Sequence, residues 1–442
     1  MASTKLTRNN GSGDSRRKMT WSWWIKRSKL GATQYLYNQY RSADSYNSGV
    51  LFQSDDSIRF WDYGGSSNDI DLQTTRLFRD VNSWYHIVLA IDTTQGTASN
   101  RVKLYVNGVQ ETAFDVATYP NQNHELRMGE AGAAYQQQIG FQGYGSTFQS
   151  YFDGIMSHVI YIDGTQYAAS DFGSTDATTG EWKINTSPSV TYGTNGFYIL
   201  KDGNSVTNQA GNSSGNWTVS AGVLTKSEDC PSNLFATWNP LLPHSSLGYS
   251  LTYSYGNDNI QFNESSTWTY VCSTLGASSG KYYFEAKLST VGSEASVGIL
   301  ELDDVNANQG SGSLDDYVGK HANSVGYFNN GRTVKNNNNE QTGLTALSAG
   351  NVVGVAMDLD NNTVQFYING SSVGNAESIS SNRTYFFGTS GYNSTKWECN
   401  FGNGYFADQT VSSAGTNASG NGIFEYNVPT GFTALSTKGL NL

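Results

Sequence analysis

Two carboxylates at alternate positions are the part of this sequence that comes nearest to a catalytic centre. Residues 301–306 are Glu-Leu-Asp-Asp-Val-Asn, so Glu301 and Asp303 would share one face of a β-strand. A retaining glycosidase needs a nucleophile and an acid/base about 5–5.5 Å apart. The next position on the same face is Val305, so the second glutamate of a Glu-x-Asp-x-Glu run is missing. The sequence therefore does not favour polysaccharide hydrolysis.

Histidine-based catalysis is not indicated either. The candidate bases are His86, His124, His158, His244 and His321. His86 alternates with Trp84 and Val88 in a predicted strand, which is typical of a hydrogen-bonded core histidine. The GxSxG, HExxH and Walker patterns are all missing. We therefore predict no catalytic residue and no enzymatic activity.

One acidic stretch carries the oxygen ligands that a calcium site requires. Residues 358–362 are Asp-Leu-Asp-Asn-Asn, but the glycine at position 6 and the distal glutamate of an EF-hand are missing. A hairpin turn explains the same residues. The remaining acidic pairs are interpreted as ordinary loop residues: Asp55-Asp56, Asp69 and Asp71, and Asp315-Asp316. The sequence therefore predicts no metal site and no cofactor.

Two aromatic and polar groups are candidates for a ligand-binding surface. Sugar binding needs an aromatic face beside amide, acid or hydroxyl groups, and such sites usually lie on loops. Trp61 and Tyr63 precede a Gly-Gly pair, and Asp316 and Tyr317 are joined by Arg332 from the segment 329–332. The alternative is that these aromatic residues belong to the core or to a subunit contact.

The elements that would carry these residues are β-strands. Apolar residues alternate with polar ones along 102–106 and 282–288, and no segment predicts a helix longer than two turns. Two similar hairpins, 88–108 and 352–370, each end in an Asn-Gly turn. Trp21, Trp23 and Ile25 share one strand face and are assigned to the core. We expect two all-β domains.

A Gly-, Ser-, Asn- and Thr-rich stretch separates the two predicted domains. It contains apolar pieces such as 196–200 and 217–219, which free linkers rarely carry. We therefore predict a first β-sandwich over 1–172, an irregular but ordered connector over 173–245 and a second β-sandwich over 246–442.

Charge limits the partners of this chain. The net charge of −11 argues against general nucleic-acid binding, which depends on neutralising phosphates. The first 30 residues are the exception, with eight basic residues and one acidic residue, Asp14. They form either a basic arm that contacts nucleic acid or an acidic neighbouring subunit, or a solvated strand edge.

The cysteines and the apolar segments indicate in which cellular compartment the protein is made. The three cysteines, Cys230, Cys272 and Cys399, lie far apart and form no disulfide framework. Residues 1–7 lack the apolar region of a signal peptide, and no apolar run approaches the roughly 18 residues that span a bilayer. We expect a protein that is made in the cytoplasm and has no membrane span.

Several segments resemble two known domain families. The first half is similar to the laminin-G-like, concanavalin A-type lectin domain at 21–26, 84–88, 103–108, 151–154 and 159–164. The second half resembles a SPRY domain at 280–285, 297–299, 324–327, 352–370 and 399–402. The resemblance implies two antiparallel β-sandwiches of the concanavalin A-like and SPRY types.

The connector and the C-terminal segment resemble marine bacteriophage proteins. The similar segments are 192–198, 214–219, 229–240 and 422–435. This resemblance implies a virion structural protein, either a tail fibre or another appendage, that binds host-surface glycans or partner proteins. It further implies other virion proteins as partners, a homo-oligomer and a location in the virion. The alternatives are a capsid decoration or head fibre protein and, more weakly, a polysaccharide depolymerase.

Overall fold

The computed structural model describes residues 3–41, 47–132, 135–144, 146–201, 203–242, 249–301, 303 and 316–441. The chain divides into two compact units, Met1–Lys226 with Cys230–Ser232 and Ser227–Asp229 with Asn233–Leu442. Residues 173–226 of the predicted connector thus lie in the first unit. Both units are built from β-strands that pair almost entirely antiparallel, which confirms the predicted all-β class.

The first unit is a sandwich of two large sheets. Its strands are β1 Lys5–Asn9, β2 Lys18–Arg27, β3 Gln34–Tyr40, β4 Asn47–Phe52, β5 Ser57–Tyr63, β6 Asn68–Leu77, β7 Trp84–Asp92, β8 Val102–Val106, β9 Val109–Glu111, β10 Phe114–Thr118, β11 Gln136–Ile139, β12 Gln142–Tyr144, β13 Thr147–Gln149, β14 Gly154–Asp163, β15 Gly173–Thr175, β16 Trp182–Ile184, β17 Phe197–Ile199 and β18 Thr218–Ala221. The front sheet has the order β10-β6-β5-β4-β3-β11-β1-β18, and the back sheet has the order β17-β14-β2-β7-β8-β9. Segments β12–β13 and β15–β16 form separate hairpins.

The core of the first unit follows the period of two along β2. Trp21, Trp23 and Ile25 are all fully buried, as predicted. In the back sheet, Trp21 lies opposite Leu89 and Trp23 lies opposite Ile87, both of which also point into the core. The outer face of the same sheet is covered by the segment 164–192, which contributes Phe172 and other apolar residues. This sheet therefore presents little free surface.

The basic N-terminal segment is part of the sandwich. Strand β1 lies between β11 and β18, so it is neither a free arm nor a strand edge, and both predicted forms are wrong. Arg8 and Arg27 are buried. Arg16 and Arg17 lie 2.6 and 3.0 Å from the Glu125 carboxylate. Strand pairing buries Arg8 and Arg27, whereas Arg16 and Arg17, which lie between β1 and β2, form ion pairs at the surface.

The second unit is also a sandwich. Its strands are β19 Leu251–Ser254, β20 Asn259–Phe262, β21 Thr269–Ala277, β22 Lys281–Thr290, β23 Ala295–Glu301, β24 Val325–Phe328, β25 Arg332–Lys335, β26 Asn338–Gln341, β27 Val352–Asp358, β28 Thr363–Ile368, β29 Ser371–Ser378, β30 Tyr385–Gly391, β31 Thr395–Asn400, β32 Tyr405–Phe406, β33 Gln409–Thr410 and β34 Thr433–Ala434. One sheet has the order β19-β20-β31-β22-β27-β28-β29, and β34 pairs with β22 in parallel. The other has the order β21-β30-β23-β24-β25-β26.

Hydrogen bonds to a buried carboxylate hold the C-terminal segment against β22. Glu285 of β22 is fully buried and accepts the backbone N–H groups of Glu425 and Tyr426, at 2.8 and 2.9 Å. Nearby, Phe424 and Ala434 pack against Tyr283.

The described residues contain no helix that is long and apolar enough to cross a membrane.

Candidate functional site

Four aromatic side chains gather at one end of the second sheet of the second unit. We call Trp268, Tyr317, Phe328 and Tyr392 the aromatic cluster. The Trp268 ring lies 5.2 Å from Tyr317, 5.7 Å from Phe328 and 5.1 Å from Tyr392, centroid to centroid. Phe328 is buried at its base, whereas the other three rings are partly exposed. Such tilted and edge-on pairs stabilise one another.

Strand order explains why these distant residues meet. Trp268 immediately precedes β21, Tyr392 immediately follows β30 and Phe328 ends β24. Strands β21, β30, β23 and β24 are neighbours in the sheet, so these three strand ends lie together at one end of the sheet. Tyr317 comes from the preceding loop, where the backbone N–H of Val318 donates to Ser390 Oγ at 3.1 Å. The loop is thereby fixed against the sheet.

Polar groups surround the aromatic cluster. The Arg332 guanidinium lies 4.8 Å from the centre of the Phe328 ring. Its nitrogens lie 3.6 Å from a Glu294 carboxylate oxygen and 3.2 Å from the Asn339 side-chain oxygen. The Tyr317 hydroxyl donates to the Asn337 side chain. The predicted residues Tyr317 and Arg332 are thus brought to one surface that combines ring faces with hydrogen-bonding groups.

Asp316 occupies a different environment from the one expected of a ligand contact. It is 2 % exposed, and its Oδ2 lies 2.7 Å from His321 Nε2. Lys320 Nζ lies 4.0 Å from the other oxygen. The buried carboxylate of Asp316 thus interacts with His321 and Lys320. Asp316 therefore supports the loop that carries Tyr317 rather than facing a ligand. Asp315 lies outside the described residues.

The other predicted pair lies on the front sheet of the first unit. Ile58 and Phe60 of β5 point into the core, so Arg59, Trp61 and Tyr63 point away from it. Arg59 forms a two-point ion pair with Asp71, with N–O distances of 2.7 and 2.6 Å.

Glycine shapes the surface around Trp61. A side chain at Gly49 would place Cβ 2.8 Å from Tyr35 Cε1 and 2.9 Å from Trp61 Nε1, so the two rings approach over the glycine backbone. Burial raises the pKa of the Tyr35 hydroxyl to about 12, and Gln142 donates to that hydroxyl at 3.0 Å. The Tyr63 hydroxyl donates to the backbone of Gly65 at 2.9 Å. Trp61 and Tyr63 are both half-buried. This second aromatic surface is therefore partly exposed, as are three of the four rings of the aromatic cluster.

A cluster of possible metal ligands lies near the end of β5 and was missed by the sequence analysis. Ligand atoms of Asp62, Asp69 and His124 all lie within 4.8 Å of one another. Asp69 was interpreted as a loop acid, and His124 was considered only as a candidate base and received no role. The sequence gives no signal for this cluster, because His124 lies 62 residues after Asp62 and only the fold brings the two together.

His86 packs as a core residue between aromatic rings. It is fully buried, stacks on Trp24 at 4.7 Å and has its pKa lowered to about 3 by burial. The indole N–H of Trp182 donates to Nδ1 at 2.9 Å. The neutral ring therefore carries its proton on Nε2, which lies 2.9 Å from Ser22 Oγ and donates to it. In this tautomer Nε2 cannot accept the Ser22 proton, so the pair does not form an activated nucleophile.

The carboxylates at 301–303 do not share a strand face. Strand β23 ends at Glu301, so strand alternation does not extend to Asp303, and that expectation is wrong. Arg383 lies 3.5 Å from Glu301 and 3.3 Å from Asp303. Leu302, Asp304, Val305, Asn306 and His244 lie outside the described residues.

The segment 358–362 forms the predicted turn. Strand β27 ends at Asp358, and β28 begins at Thr363. The backbone N–H of Asn361 donates to Asp358 Oδ1 at 2.9 Å, and Lys281 Nζ lies 2.8 Å from Oδ2. The carboxylate of Asp358 is therefore used in closing the hairpin.

Family comparisons agree with the two sandwiches. Residues 2–159 match the family model of the concanavalin A-like lectin/glucanases superfamily, in its laminin-G form, and residues 281–404 match the SPRY domain model. The predicted combination of a laminin-G-like and a SPRY domain is thereby confirmed. Both are typically binding domains.

Solved structures similar to parts of the chain were also found, whereas no curated protein matches. The SPRY domain of human HERC1 is 14% identical, with 32% of this chain and 86% of that chain covered and a TM-score of 0.25. The heptameric SAP-like pentraxin from Limulus polyphemus is 17% identical, with coverages of 41% and 85% and a TM-score of 0.30. The TRIM65 PSpry domain is 12% identical, with coverages of 37% and 89% and a TM-score of 0.28.

Proposed function

We propose that this chain is a non-enzymatic binding protein that recognises carbohydrate through the aromatic cluster of its second unit. The observation that carries the proposal is the meeting of Trp268, Tyr317 and Tyr392, three partly exposed rings, with the Arg332 guanidinium. Ring faces pack against the C–H faces of a sugar, and the surrounding amide, carboxylate and guanidinium groups bind its hydroxyls. The low charged fraction of the chain, 14%, suits an uncharged polar ligand.

The setting that we propose is a bacteriophage particle. The resemblance of 192–198, 214–219 and 229–240 to virion proteins supports a tail fibre or appendage that binds a host-surface glycan. Other virion proteins and further copies of the chain are its proposed partners.

A capsid decoration protein is the second candidate. A basic N-terminal arm docking onto an acidic lattice would have favoured it. In the first unit, Arg8 and Arg27 are buried and Arg16 pairs with Glu125 at 2.6 Å, so these three basic residues are used within the fold. The observation that would favour decoration is therefore weakened.

A polysaccharide depolymerase is the weakest candidate. Its proposed carboxylates, Glu301 and Asp303, lie 3.5 and 3.3 Å from the same arginine, Arg383. Glu301 is also 3% exposed. A carboxylate held in this way is poorly placed to attack a sugar, and release of reducing ends from host polysaccharide would be needed to support this function.

The test is binding of the full chain to intact host cells and to a glycan array. We expect saturable binding that weakens roughly two- to tenfold in Tyr317→Ala, because one stacked ring contributes roughly 0.5–1.5 kcal/mol. Tyr144→Ala is the matched control, since Tyr144 is 49% exposed on the β12–β13 hairpin of the first unit. Trp61→Ala distinguishes the two aromatic surfaces.

Each outcome decides between surfaces or functions. Loss of binding in Trp61→Ala but not in Tyr317→Ala would move the carbohydrate site to the first unit and overturn its assignment to the aromatic cluster. Binding to neither cells nor glycans by folded, correctly assembled protein would overturn the adsorption proposal in favour of decoration.

A further inference from the structure

We propose that Asp62, Asp69 and His124 of the first unit form a binding site for a zinc ion. The two carboxylates and the imidazole place one ligand atom each within 4.8 Å of the others. These are ligand types that zinc takes in proteins, and three protein ligands leave one tetrahedral position for water or a further ligand. The site is separate from the aromatic cluster and does not depend on the proposed carbohydrate binding.

Asp62 is held in the orientation that a metal ligand needs. It is fully buried at the end of β5. Its Oδ1 accepts the backbone N–H of Arg127 at 2.9 Å and the hydroxyl of Ser48, which lies opposite it on β4. These bonds direct Oδ2 toward His124, whose Nε2 lies 3.1 Å away. Ligating carboxylates in metal sites are commonly fixed by such outer hydrogen bonds.

His124 is fixed through its backbone. Its carbonyl oxygen accepts the Thr93 hydroxyl at 2.7 Å, and its N–H donates to the Asn121 carbonyl at 3.1 Å. Two residues later, the fully buried Leu126 anchors the same segment in the core. The imidazole therefore reaches Asp62 from a rigid turn, and its side chain remains 15% exposed, which leaves an approach for an ion.

Asp69 is brought to the other two ligands by local backbone geometry. The pairing of β5 with β6 shifts register between Asp62 and Tyr63, and such a bulge changes the direction of neighbouring side chains. The carboxylate of Asp69 folds over Gly64, where an added Cβ would lie 2.3 Å from Asp69 Oδ2. Glycine at position 64 is thus the residue that permits this approach.

Charge and ligand type identify the ion. A hydrogen bond between His124 and Asp62 explains two members of the cluster, but it does not explain why the carboxylate of Asp69 also approaches them. A divalent cation balances two carboxylates and a neutral imidazole. Calcium and magnesium prefer oxygen ligands throughout, whereas imidazole suits transition metals. Among these we assign zinc, which takes both imidazole and carboxylate ligands in proteins.

The experiment is zinc titration of the full chain after removal of metal with EDTA. Isothermal titration calorimetry should give one equivalent of bound zinc, and cobalt should give the visible absorption of a four-coordinate site. We expect affinity to fall about tenfold or more in His124→Gln and in Asp69→Asn. Both substitutions preserve size and leave the buried Asp62 intact, and circular dichroism verifies that each variant is folded.

His321→Gln is the matched control. His321 also lies beside a buried aspartate, Asp316, at 2.7 Å, but in the second unit. We expect its zinc affinity to equal that of the wild type. Failure of the wild-type chain to bind zinc, or equal binding by His124→Gln, would overturn the site. Saturable calcium binding at these residues without a zinc response would overturn the choice of ion.

Discussion

The pH dependence of the second unit depends on Glu285, and substitution by glutamine isolates its contribution. Burial raises the pKa of this carboxyl from 4.5 to about 7, although its bonds from Glu425 and Tyr426 favour the charged form. A carboxyl whose pKa is raised on folding stabilises the folded state fully below its unfolded pKa. That stability is lost as the pH rises through the folded pKa.

The magnitude follows from the two pKa values. Each unit of pKa corresponds to about 1.4 kcal/mol, so the difference between 4.5 and about 7 corresponds to about 3 kcal/mol. The amide side chain of the Glu285→Gln variant does not ionise and does not carry this dependence. The difference in the free energy of unfolding, wild type minus Glu285→Gln, should therefore fall by about 3 kcal/mol between pH 4 and pH 8. A constant offset is also expected, because the amide nitrogen cannot accept a backbone N–H.

Buried thiols offer an assay specific to the second unit. Cys272 and Cys399 are both buried there, and Cys230 is replaced by serine so that it does not contribute. A short pulse of an aromatic disulfide that still reacts with thiols at acid pH, applied across guanidinium titrations at each pH, then reports the unfolding of this unit within the full chain. Glu340→Gln, at an exposed position of β26, controls for the loss of one negative charge.

The result that would refute the reasoning is a difference that stays constant or rises with pH. A constant difference would mean that the hydrogen bonds to the carboxylate balance its burial, and a rise would mean that they outweigh it. A similar fall in the Glu340→Gln control would instead attribute the effect to net charge.

Two further predictions concern the first unit and are measured by guanidinium unfolding followed by tryptophan fluorescence. Gly49→Ala should destabilise the unit by about 1–3 kcal/mol, because the new Cβ would meet Tyr35 and Trp61 at 2.8 and 2.9 Å; an unchanged midpoint would contradict this packing. Arg27→Met should cost about 3–5 kcal/mol, since it removes the fully buried cation 3.0 Å from Asp56, and adding Asp56→Asn, which removes the charge and suits the φ of 72° at this position, should recover part of the loss. No recovery in the double variant would show that the unpaired carboxylate is not the cause.

Local patterns in the sequence determined the strands, their faces and their turns. The alternation around Trp21 and Trp23 predicted which side chains enter the core, and both are fully buried. Both Asn-Gly pairs adopt positive φ, 47° and 80° at 107–108 and 47° and 81° at 369–370, as a tight hairpin turn requires. These features depend on residues within a few positions of one another, so a single sequence contains the necessary information.

The surroundings of the candidate site residues depended on the tertiary structure. Tyr317 and Arg332 were predicted, but Trp268 and Tyr392 join them only because β21, β30, β23 and β24 are neighbours in one sheet. Asp316 was predicted to face a ligand and is buried instead. The period of two fixes which face of a strand a residue occupies, but it does not fix which distant strand lies beside it.

The N-terminal strand shows the same division between local and long-range information. The basic N-terminal segment was predicted to be an arm or a strand edge, yet β1 is interior because it pairs with β11 and with β18, more than two hundred residues later. The metal-ligand cluster likewise joins β5 and β6 to a separate turn at His124. Strand order and register are set by burial of the whole sandwich, which no short segment of the sequence encodes alone.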